Sequence, residues 1–370
     1  MAARPRLKAV TVHRSGAELV IWPRALQRVY LADPAGSIAA LLRLLSAGRY
    51  LTGQLRSAMA ARGFEVTDEE IAGVLSALDD MGVLEDAAGD DVLDPVTRER
   101  HQSNLRYYDL FARLDRTSAG IQLAVQRSRV LLLGAGGLGA GILQSLVGLG
   151  VGEVSIVDFD VVEARNLSRQ FTYGLGAVGR PKVAAAADWA ASYSGGTRVV
   201  PVQDRVTGVS SVVALGTGVD IVVCAIDSPD DVHLIVNEAC FALGVPFVAG
   251  GLSYSTLSYW SVEPGRTPCR KCLELHRADE EESLAAALRQ DPFIDPPAVN
   301  RATGPAVQLM CGLMAMETMR YLTRTDPPVA AARYQVIELA DRLAMSSVAW
   351  RNHPDCGLCA DARILAGAPG

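Results

Sequence analysis

Residues 1–88 combine two patterns of hydrophobic and polar positions. Three stretches alternate apolar and polar residues between turn signals, as the strands of a small antiparallel sheet do: residues 7–13, 17–22 and 28–32. Apolar residues then recur at helical spacing in three further stretches: 37–46, 52–61 and 68–79. Thr67 and Glu70 form a capping box before the last of these, and Gly82 ends it. Three strands followed by three helices predict a small winged-helix α+β domain.

A fully apolar run followed by a helical pattern begins after Arg129. It predicts a buried strand over residues 130–133, a glycine turn, a helix, and a second strand over residues 153–157 that ends in Asp158. The 23 residues between Arg129 and Glu153 carry no charge, which is also compatible with a membrane span. Because eight of them are glycine and turn signals interrupt the run, we expect a buried strand–turn–helix instead.

The stretches between these patterns complete the predicted architecture. Residues 86–98 are acidic and contain glycine and proline, so they predict a linker, whereas residues 99–127 predict an amphipathic connecting helix. A third buried strand is predicted over residues 220–225. We therefore expect an α/β fold with a Rossmann-like, mostly parallel sheet, preceded by the winged-helix domain. The predicted domains are residues 1–88, a linker and helix at 89–128, a nucleotide-binding domain at 129–345, and a C-terminal segment at 346–370.

Composition is that of an ordinary globular protein. The chain has 370 residues, 49% of them hydrophobic and 21% charged, and its net charge of −6 disfavours nucleic acid as a main partner. Residues 1–95 hold ten basic and thirteen acidic residues, so a DNA-binding winged helix is disfavoured as well. The first ten residues lack the apolar region of a secretory signal, and seven cysteines suit a reducing compartment. We expect a cytoplasmic protein without a membrane partner.

The glycine turn is the first feature with chemical meaning. Its glycines allow a tight turn and a close approach of the backbone to phosphate groups: Gly134, Gly136, Gly137 and Gly139. The helix that follows presents N–H groups and the positive end of its dipole. Asp158 lies 19 residues after Gly139, where a carboxylate can accept hydrogen bonds from ribose hydroxyls. A dehydrogenase would show the same turn, so this pattern alone predicts only a nucleotide site.

Polar residues beyond Asp158 favour a nucleoside triphosphate over a dinucleotide as the ligand of this site. Four of them follow the second strand: Asn166, Arg169, Gln170 and Lys182. Two cations suit a triphosphate better than the pyrophosphate of a dinucleotide. Asp227 follows the third strand at its carboxyl end, where a carboxylate beside phosphates is a natural ligand of Mg²⁺. We therefore predict catalytic roles for Arg169, Lys182 and Asp227.

Five segments together resemble the ThiF/MoeB family of ubiquitin-activating-enzyme-like adenylyltransferases: GAGGLG at 134–139, DFD at 158–160, NLSRQ at 166–170, GRPK at 179–182 and CAID at 224–227. The resemblance runs from about residue 100 to residue 359. It implies ATP and Mg²⁺ as cofactors, with Asp158 on the ribose, Arg169 and Lys182 on the phosphates, and Asp227 on the metal. The remaining implied cofactor-binding residues are Gly134, Gly136, Gly137, Gly139, Asp160, Asn166 and Gln170. A homodimer is also implied.

Two positions depart from the family pattern. Ser228 stands where an asparagine usually follows the magnesium-binding acid. Ser103 replaces the second arginine of the family's R-x-x-R-[QN] element, which reaches the site of the partner subunit. Either Arg100 or Arg106 could substitute, or this contact is lost.

Four of the seven cysteines form two C-x2-C pairs with 83 residues between them: Cys269, Cys272, Cys356 and Cys359. Two such pairs predict one tetrahedral zinc site, and with four thiolate ligands that zinc would be structural. A redox C-x-x-C is the alternative. Cys311, Cys224 and Cys240 lie in apolar surroundings and are predicted to be core residues. Since residues 277–303 contain no cysteine, we expect no thioester intermediate.

The N-terminal pattern resembles the PqqD-like recognition element of enzymes that modify ribosomally made peptides. There a leader peptide adds a strand beside the third strand and lies against the third helix, here residues 28–32 and 68–79. Together the two modules resemble microcin C-type enzymes. The implied function is ATP-dependent adenylation of a carboxylate on a precursor peptide. Two alternatives remain: a non-catalytic protein that delivers the leader to an azoline-forming cyclodehydratase, and a MoeB-like activator of a sulfur-carrier protein.

Overall fold

The computed structural model of the chain describes residues 3–24, 26–288 and 302–360, with the side chains of residues 281–288 excepted. The chain divides into two compact units, Met1–Ala124 and Val125–Gly370. Among the described residues, no helix is long and apolar enough to cross a membrane. The uncharged run after Arg129 forms a strand and a helix, as predicted.

The strands of the N-terminal unit form two small sheets. Their bounds are β1 (Pro5–Leu7), β2 (Thr11–Ser15), β3 (Glu18–Arg24), β4 (Gln27–Ala32) and β5 (Leu84–Asp86). The larger sheet is antiparallel in the order β2–β3–β4, and β1 pairs with β5. The single strand predicted over residues 7–13 is therefore wrong. Lys8 divides it, because its backbone N–H bonds to Val83 and its buried ammonium group donates to the carbonyls of Gly82 and Ala112.

Three helices follow in the predicted order: α1 (Ser37–Leu45), α2 (Leu55–Ala60) and α3 (Asp68–Asp80). The capping box at the start of α3 is confirmed. The backbone N–H of Thr67 donates to the Glu70 carboxylate at 2.8 Å, and the N–H of Glu70 donates to Thr67 Oγ1 at 3.1 Å. Ile21, Leu45 and Leu78 are each at most 1% exposed and lie in the core that these helices form with the three-stranded sheet.

Helical structure occupies the stretch predicted as a linker. A 3₁₀ turn (Ala87–Asp91) precedes α4 (Pro95–Arg100). A β-carbon on Gly89 would lie 2.6 Å from Thr117, and Arg6 forms an ion pair with Asp90, so this stretch packs within the N-terminal unit. The predicted connecting helix is divided into α5 (Gln102–Tyr108) and α6 (Ser118–Arg127), because residues 109–117 form a turn closed by a bridge between Arg113 and Arg116.

The C-terminal unit contains the predicted mostly parallel sheet. Its strands are β6 (Arg129–Leu133), β7 (Glu153–Val157), β8 (Arg198–Val202), β9 (Ile221–Cys224), β10 (Phe247–Ser253), β11 (Thr256–Val262), β12 (Arg333–Glu338) and β13 (Ala344–Ala349). They lie in the order β13–β12–β11–β10–β9–β6–β7–β8. The five strands from β8 to β10 are parallel, and the last three are added antiparallel. The helices are α7 (Gly137–Leu149), α8 (Lys182–Tyr193), α9 (Val209–Leu215), α10 (Val232–Leu243), α11 (Arg270–Leu288) and α12 (Gly304–Thr323).

Four of the five parallel strands end at the same level, and β10 continues four residues beyond it. Val202, Val157, Leu133, Cys224 and Ala249 form one row across the sheet by direct pairing. The segments after these strands therefore meet at one edge. The strand order also reverses beside β6, whose neighbours are β7 on one side and β9 on the other. Open α/β sheets bind their ligands at such a switch point, so this edge is the expected site.

The packing of α7 against α12 can be tested by comparing two glycine substitutions in α7. A β-carbon on Gly141 of α7 would lie 2.6 Å from Cys311 Sγ of α12, whereas one on Gly148 of α7 meets no atom within 4 Å. We expect Gly141→Ala to destabilise the protein by about 1–3 kcal/mol through overpacking. Gly148→Ala should be neutral or stabilising by up to about 1 kcal/mol. Thermal unfolding of both variants checks this, and equal midpoints would contradict the packing of α7 on α12.

Candidate functional site

The glycine turn between β6 and α7 lies against the end of β9. Gly134 has φ +105°, and a β-carbon there would lie 2.7 Å from the carbonyl oxygen of Ala225. A β-carbon on Gly139 would lie 1.9 Å from the carbonyl oxygen of Gly134, so neither position accepts a side chain. At Gly136, the N-cap of α7, a β-carbon would meet no atom within 4 Å. The turn is thus closed against the protein at two glycines and open at the helix N-terminus, as a phosphate site requires.

Asp158 connects this turn to the end of β7. Its Oδ2 accepts a hydrogen bond from the N–H of Ala135 at 2.7 Å, and its Oδ1 accepts one from the N–H of Asp160 at 2.8 Å. Each carboxylate oxygen has a second lone pair, which remains for ribose hydroxyls. Asp158 therefore holds the turn in place, and its contact with a ribose stays a prediction.

Tyr173, which no sequence pattern predicted, holds the same turn at the carbonyl of Ala135. Its buried hydroxyl donates to the carbonyl of Ala135 at 2.8 Å. Burial, together with the nearby charge of Asp158, raises the pKa of Tyr173 well above its usual value, so the hydroxyl remains a donor. Tyr173 lies 38 residues from its acceptor, and no local sequence pattern connects the two.

Lys182 is the first residue of α8 and is fixed by Asp160. Its backbone N–H donates to the carbonyl of Asp160 and its Nζ to the Asp160 carboxylate, both at 2.9 Å. The lysine side chain is 7% exposed and the aspartate side chain 49% exposed. The third residue of the DFD segment thus orients the predicted phosphate-binding cation at a helix N-terminus.

The NLSRQ segment supplies a second cation and a buried amide. Arg169 donates to the carbonyl of Arg165 at 3.3 Å, and no carboxylate of the described residues forms an ion pair with it. The Arg169 side chain passes beside Gly137, at the first turn of α7. Asn166 is buried and accepts a hydrogen bond from the N–H of Glu163 at 3.0 Å, so it stabilises the segment itself. Gln170 is 3% exposed, and its Oε1 has no hydrogen-bond donor among the described residues.

Asp227 lies three residues beyond β9 and two residues after Ala225, whose carbonyl faces Gly134. Its side chain is exposed and forms no hydrogen bond or ion pair with the described residues. A carboxylate without a protein partner at a phosphate site fits the ligand preference of Mg²⁺. The edge of the sheet thus brings the glycine turn, Asp158, Lys182, Arg169 and Asp227 together.

The three cysteines outside the C-x2-C pairs lie in the core, as predicted. Cys224, Cys240 and Cys311 are each at most 1% exposed. Burial raises the pKa of Cys224 and that of Cys311 to about 12, and that of Cys240 also rises. A protonated, enclosed thiol is a poor nucleophile. Residues 289–301, which belong to the cysteine-free stretch of the sequence, lie outside the described part of the chain.

The two C-x2-C pairs come together in the C-terminal unit. The Sγ atoms of Cys269 and Cys272 are 3.8 Å apart, and each lies 3.5 Å from one cysteine of the second pair, Cys356 and Cys359 respectively. All four sulfurs lie within 4.8 Å of one another and are buried. A tetrahedral zinc with Zn–S bonds of about 2.3 Å places its sulfurs about 3.8 Å apart. The four residues therefore fit the predicted structural zinc.

A histidine pair supports this cysteine cluster. His353 Nε2 donates to the Asp279 carboxylate at 2.9 Å, and its Nδ1 accepts from the N–H of Asp355 at 3.1 Å. The His276 ring packs against the His353 ring with centroids 4.7 Å apart. Because both nitrogens of His353 are engaged, this group joins α11 to the second cysteine pair.

The arginines considered for the contact between subunits lie in the N-terminal unit. Arg106 is exposed and forms an ion pair with Asp109 at 3.2 Å. Arg100, at the end of α4, is exposed and has no carboxylate partner among the described residues. Ser103 is exposed on α5. Of the two arginines, Arg100 is therefore the one without an ion pair among the described residues.

The fold and the site define an α/β nucleotide-binding enzyme. The model of the ThiF family matches residues 108–358, and the chain belongs to this family. Its curated relatives include the SAMP-activating enzyme E1 of Haloferax volcanii, 31% identical over 64% of this chain and 82% of the relative. The sulfur carrier protein adenylyltransferase of Thermus thermophilus is 30% identical over 65% of this chain and 85% of the relative. The chain is an enzyme of the adenylyltransferase class.

Solved structures extend the similarity to the N-terminal unit. E. coli MccB bound to MccA has a TM-score of 0.73 at 17% identity, covering 96% of this chain and 99% of that one. PaaA has a TM-score of 0.68 at 17% identity, covering 91% of this chain and 97% of that one. At this identity the similarity shows a shared fold.

The cysteine cluster predicts about one zinc per chain. Cys272→Ser and Cys359→Ser should lose the metal and unfold at lower temperature, because the metal joins two distant segments. Cys240→Ala, which removes a core thiol outside the cluster, should keep its zinc. Metal analysis of the purified variants tests this. A stable wild-type protein without zinc would contradict the structural site.

Tyr173 provides a test of the turn geometry. We expect Tyr173→Phe to weaken ATP binding about fivefold, the equivalent of about 1 kcal/mol for one hydrogen bond that fixes the turn. Tyr193→Phe is the matched control, because Tyr193 is exposed and stacks on Trp189 away from the turn. Calorimetric titration with ATP measures both, and unchanged affinity in Tyr173→Phe would show that this hydroxyl does not shape the site.

Proposed function

We propose that this chain is an ATP-dependent adenylyltransferase that activates a carboxylate of a ribosomally made precursor peptide. The observation that carries the adenylation step is the grouping at the switch point of the sheet. An open glycine turn lies there beside two cations, Arg169 and Lys182, and beside Asp227, whose carboxylate has no partner among the described residues.

The geometry supports attack of a carboxylate on the α-phosphorus of ATP, with pyrophosphate as the leaving group. Asp158 would hold the ribose, and the N-terminus of α7 would receive phosphate oxygens. Lys182 and Arg169 would stabilise the charge that develops on the transferring and departing groups. Bound Mg²⁺, with Asp227 as a ligand, would supply further charge neutralisation. A carboxylate is already ionised at neutral pH, so the reaction needs no general base.

A peptide substrate is favoured by the extent of the structural similarity. Haloferax and Thermus relatives share about two thirds of this chain, whereas MccB shares its fold with 96% of it, including the N-terminal unit. Another MccB structure is described as the microcin C7 biosynthetic enzyme in complex with N-formylated MccA. In the N-terminal unit, β4 is an edge strand and could pair with a leader peptide by β-augmentation.

Activation of a sulfur-carrier protein is the second candidate, because relatives with 30% identity carry that name. It would use the same nucleotide site but leave the N-terminal unit without a role. A family-type homodimer is part of our proposal in either case, and the exposed Arg100 is the cation that could reach the neighbouring subunit.

Pyrophosphate exchange into ATP tests the proposal. Exchange should require a ribosomally made precursor peptide and should not respond to a sulfur-carrier protein. Asp227→Asn should lower the exchange rate by about 10²-fold or more, since it removes charge stabilisation at the phosphates. Asp341→Asn, at an exposed aspartate in the turn between β12 and β13, should retain the wild-type rate. Full exchange in Asp227→Asn would remove the proposed metal-binding role.

A further inference from the structure

The three-stranded sheet of the N-terminal unit has a second face that the core does not use. Leu19 and Ile21 of β3 point into the core, at 3% and 0% exposure. Val20 and Trp22 alternate with them and therefore point to the opposite, outer face. Pairing places His13 and Tyr30 beside Val20, and Thr11 beside Trp22. These residues define what we call the outer face.

A groove of about 520 Å³ runs along the β2 side of the outer face. Its lining residues are Ala9, Thr11, His13, Trp22, Pro23, Arg24 and Leu110. This volume lies within the range of sites that bind small ligands or short peptide segments. The groove lies on β2 and β3, so it is separate from the edge of β4 where a leader strand would pair.

Trp22 lines this groove and has a polar group without a hydrogen-bond partner among the described residues. Its indole Nε1–H is buried and has no acceptor among the described residues. The guanidinium group of Arg28 covers the indole ring at 4.4 Å from its centroid. Buried N–H groups normally have an acceptor. The indole N–H of Trp22 is left without an acceptor in the part of the chain that the structure describes.

The outer face is also cationic. Arg24 and Arg28 are exposed, and neither forms an ion pair with any carboxylate of the described residues. Tyr30 beside them is 58% exposed. Glu18 lies at the far end of β3, where it pairs with Ser15 and Ala32. Unpaired arginines next to exposed aromatic rings favour an occupant with carboxylate groups.

We propose that the outer face binds an acidic segment of the peptide substrate, with carboxylates on Arg24 and Arg28 and apolar side chains in the groove. This proposal rests on the proposed function and adds to it a sequence preference in the substrate. A peptide suits the site because Ala9, Pro23 and Leu110 line the groove beside the arginines and offer apolar contacts to its side chains.

Fluorescence anisotropy with the full chain and three labelled probes tests the proposal. The probes are a peptide of alternating glutamate and leucine, its lysine–leucine counterpart, and an oligothymidylate. We expect the glutamate peptide to bind at least about tenfold more tightly than the lysine peptide, with affinity that falls as salt rises. Equal affinity for the two peptides would overturn the proposal. If the oligothymidylate binds more tightly than the glutamate peptide, and the substitutions described below weaken its binding, the occupant is nucleic acid and the peptide proposal is overturned.

Four variants locate the binding. The double variant Arg24→Gln with Arg28→Gln should lose most of the preference for the glutamate peptide, and Trp22→Phe should bind it about fivefold more weakly. Arg43→Gln, at an exposed arginine of α1, and Trp189→Phe, in the C-terminal unit, should bind as the wild type does. Equal losses in the controls would overturn the assignment to the outer face, and thermal unfolding establishes that each variant is folded.

Pyrophosphate exchange on the same preparations separates the two proposals. Exchange without selective binding of the glutamate peptide leaves adenylation standing and removes the outer-face proposal. Selective binding of the glutamate peptide without pyrophosphate exchange, whichever peptide is added, removes the adenylation proposal and leaves the outer face as an acidic-peptide site.

Discussion

The hydrogen bond from the N–H of Ala135 to the carboxylate of Asp158 is the interaction on which the site depends. It fixes the glycine turn after β6 to the end of β7, and the Tyr173 hydroxyl fixes the same residue from its carbonyl side. With Ala135 held, the helix N-terminus opens beside the cations that follow. If the same carboxylate binds the ribose, as we propose, the geometry of the phosphate site and that of the sugar site would be coupled.

Direct strand pairing explains why distant segments meet here. The row that ends in Leu133, Val157 and Cys224 sets the level from which the following segments emerge. The Asp160 carboxylate holds the Lys182 ammonium group at this edge. Asp227 follows β9, and its side chain has no partner among the described residues. Cys224 belongs to this row, and burial raises the pKa of its thiol to about 12.

Local periodicity and capping account for most of what could be predicted from the sequence. The capping box of Thr67 and the strand that ends in Asp158 are short-range features, and the structure confirms both. The features that the sequence did not predict depend on contacts between distant residues. Lys8 divides a predicted strand by binding carbonyls far along the chain, and Tyr173 reaches the glycine turn across 38 residues. The packing of Gly89 on Thr117, which makes a predicted linker compact, has no local signature either.

In the proposed reaction, a substrate carboxylate takes the adenylyl group of ATP. This transfer is tested most directly with a precursor peptide whose carboxylates carry oxygen-18, incubated with ATP and with hydroxylamine to trap the activated acyl group. Attack by the carboxylate leaves its oxygen bridging carbon and phosphorus, and the trapping reaction then releases that oxygen with AMP. We expect a peptide hydroxamate, pyrophosphate, and AMP that contains the heavy isotope. Formation of ADP and phosphate, or AMP without the isotope, would contradict it.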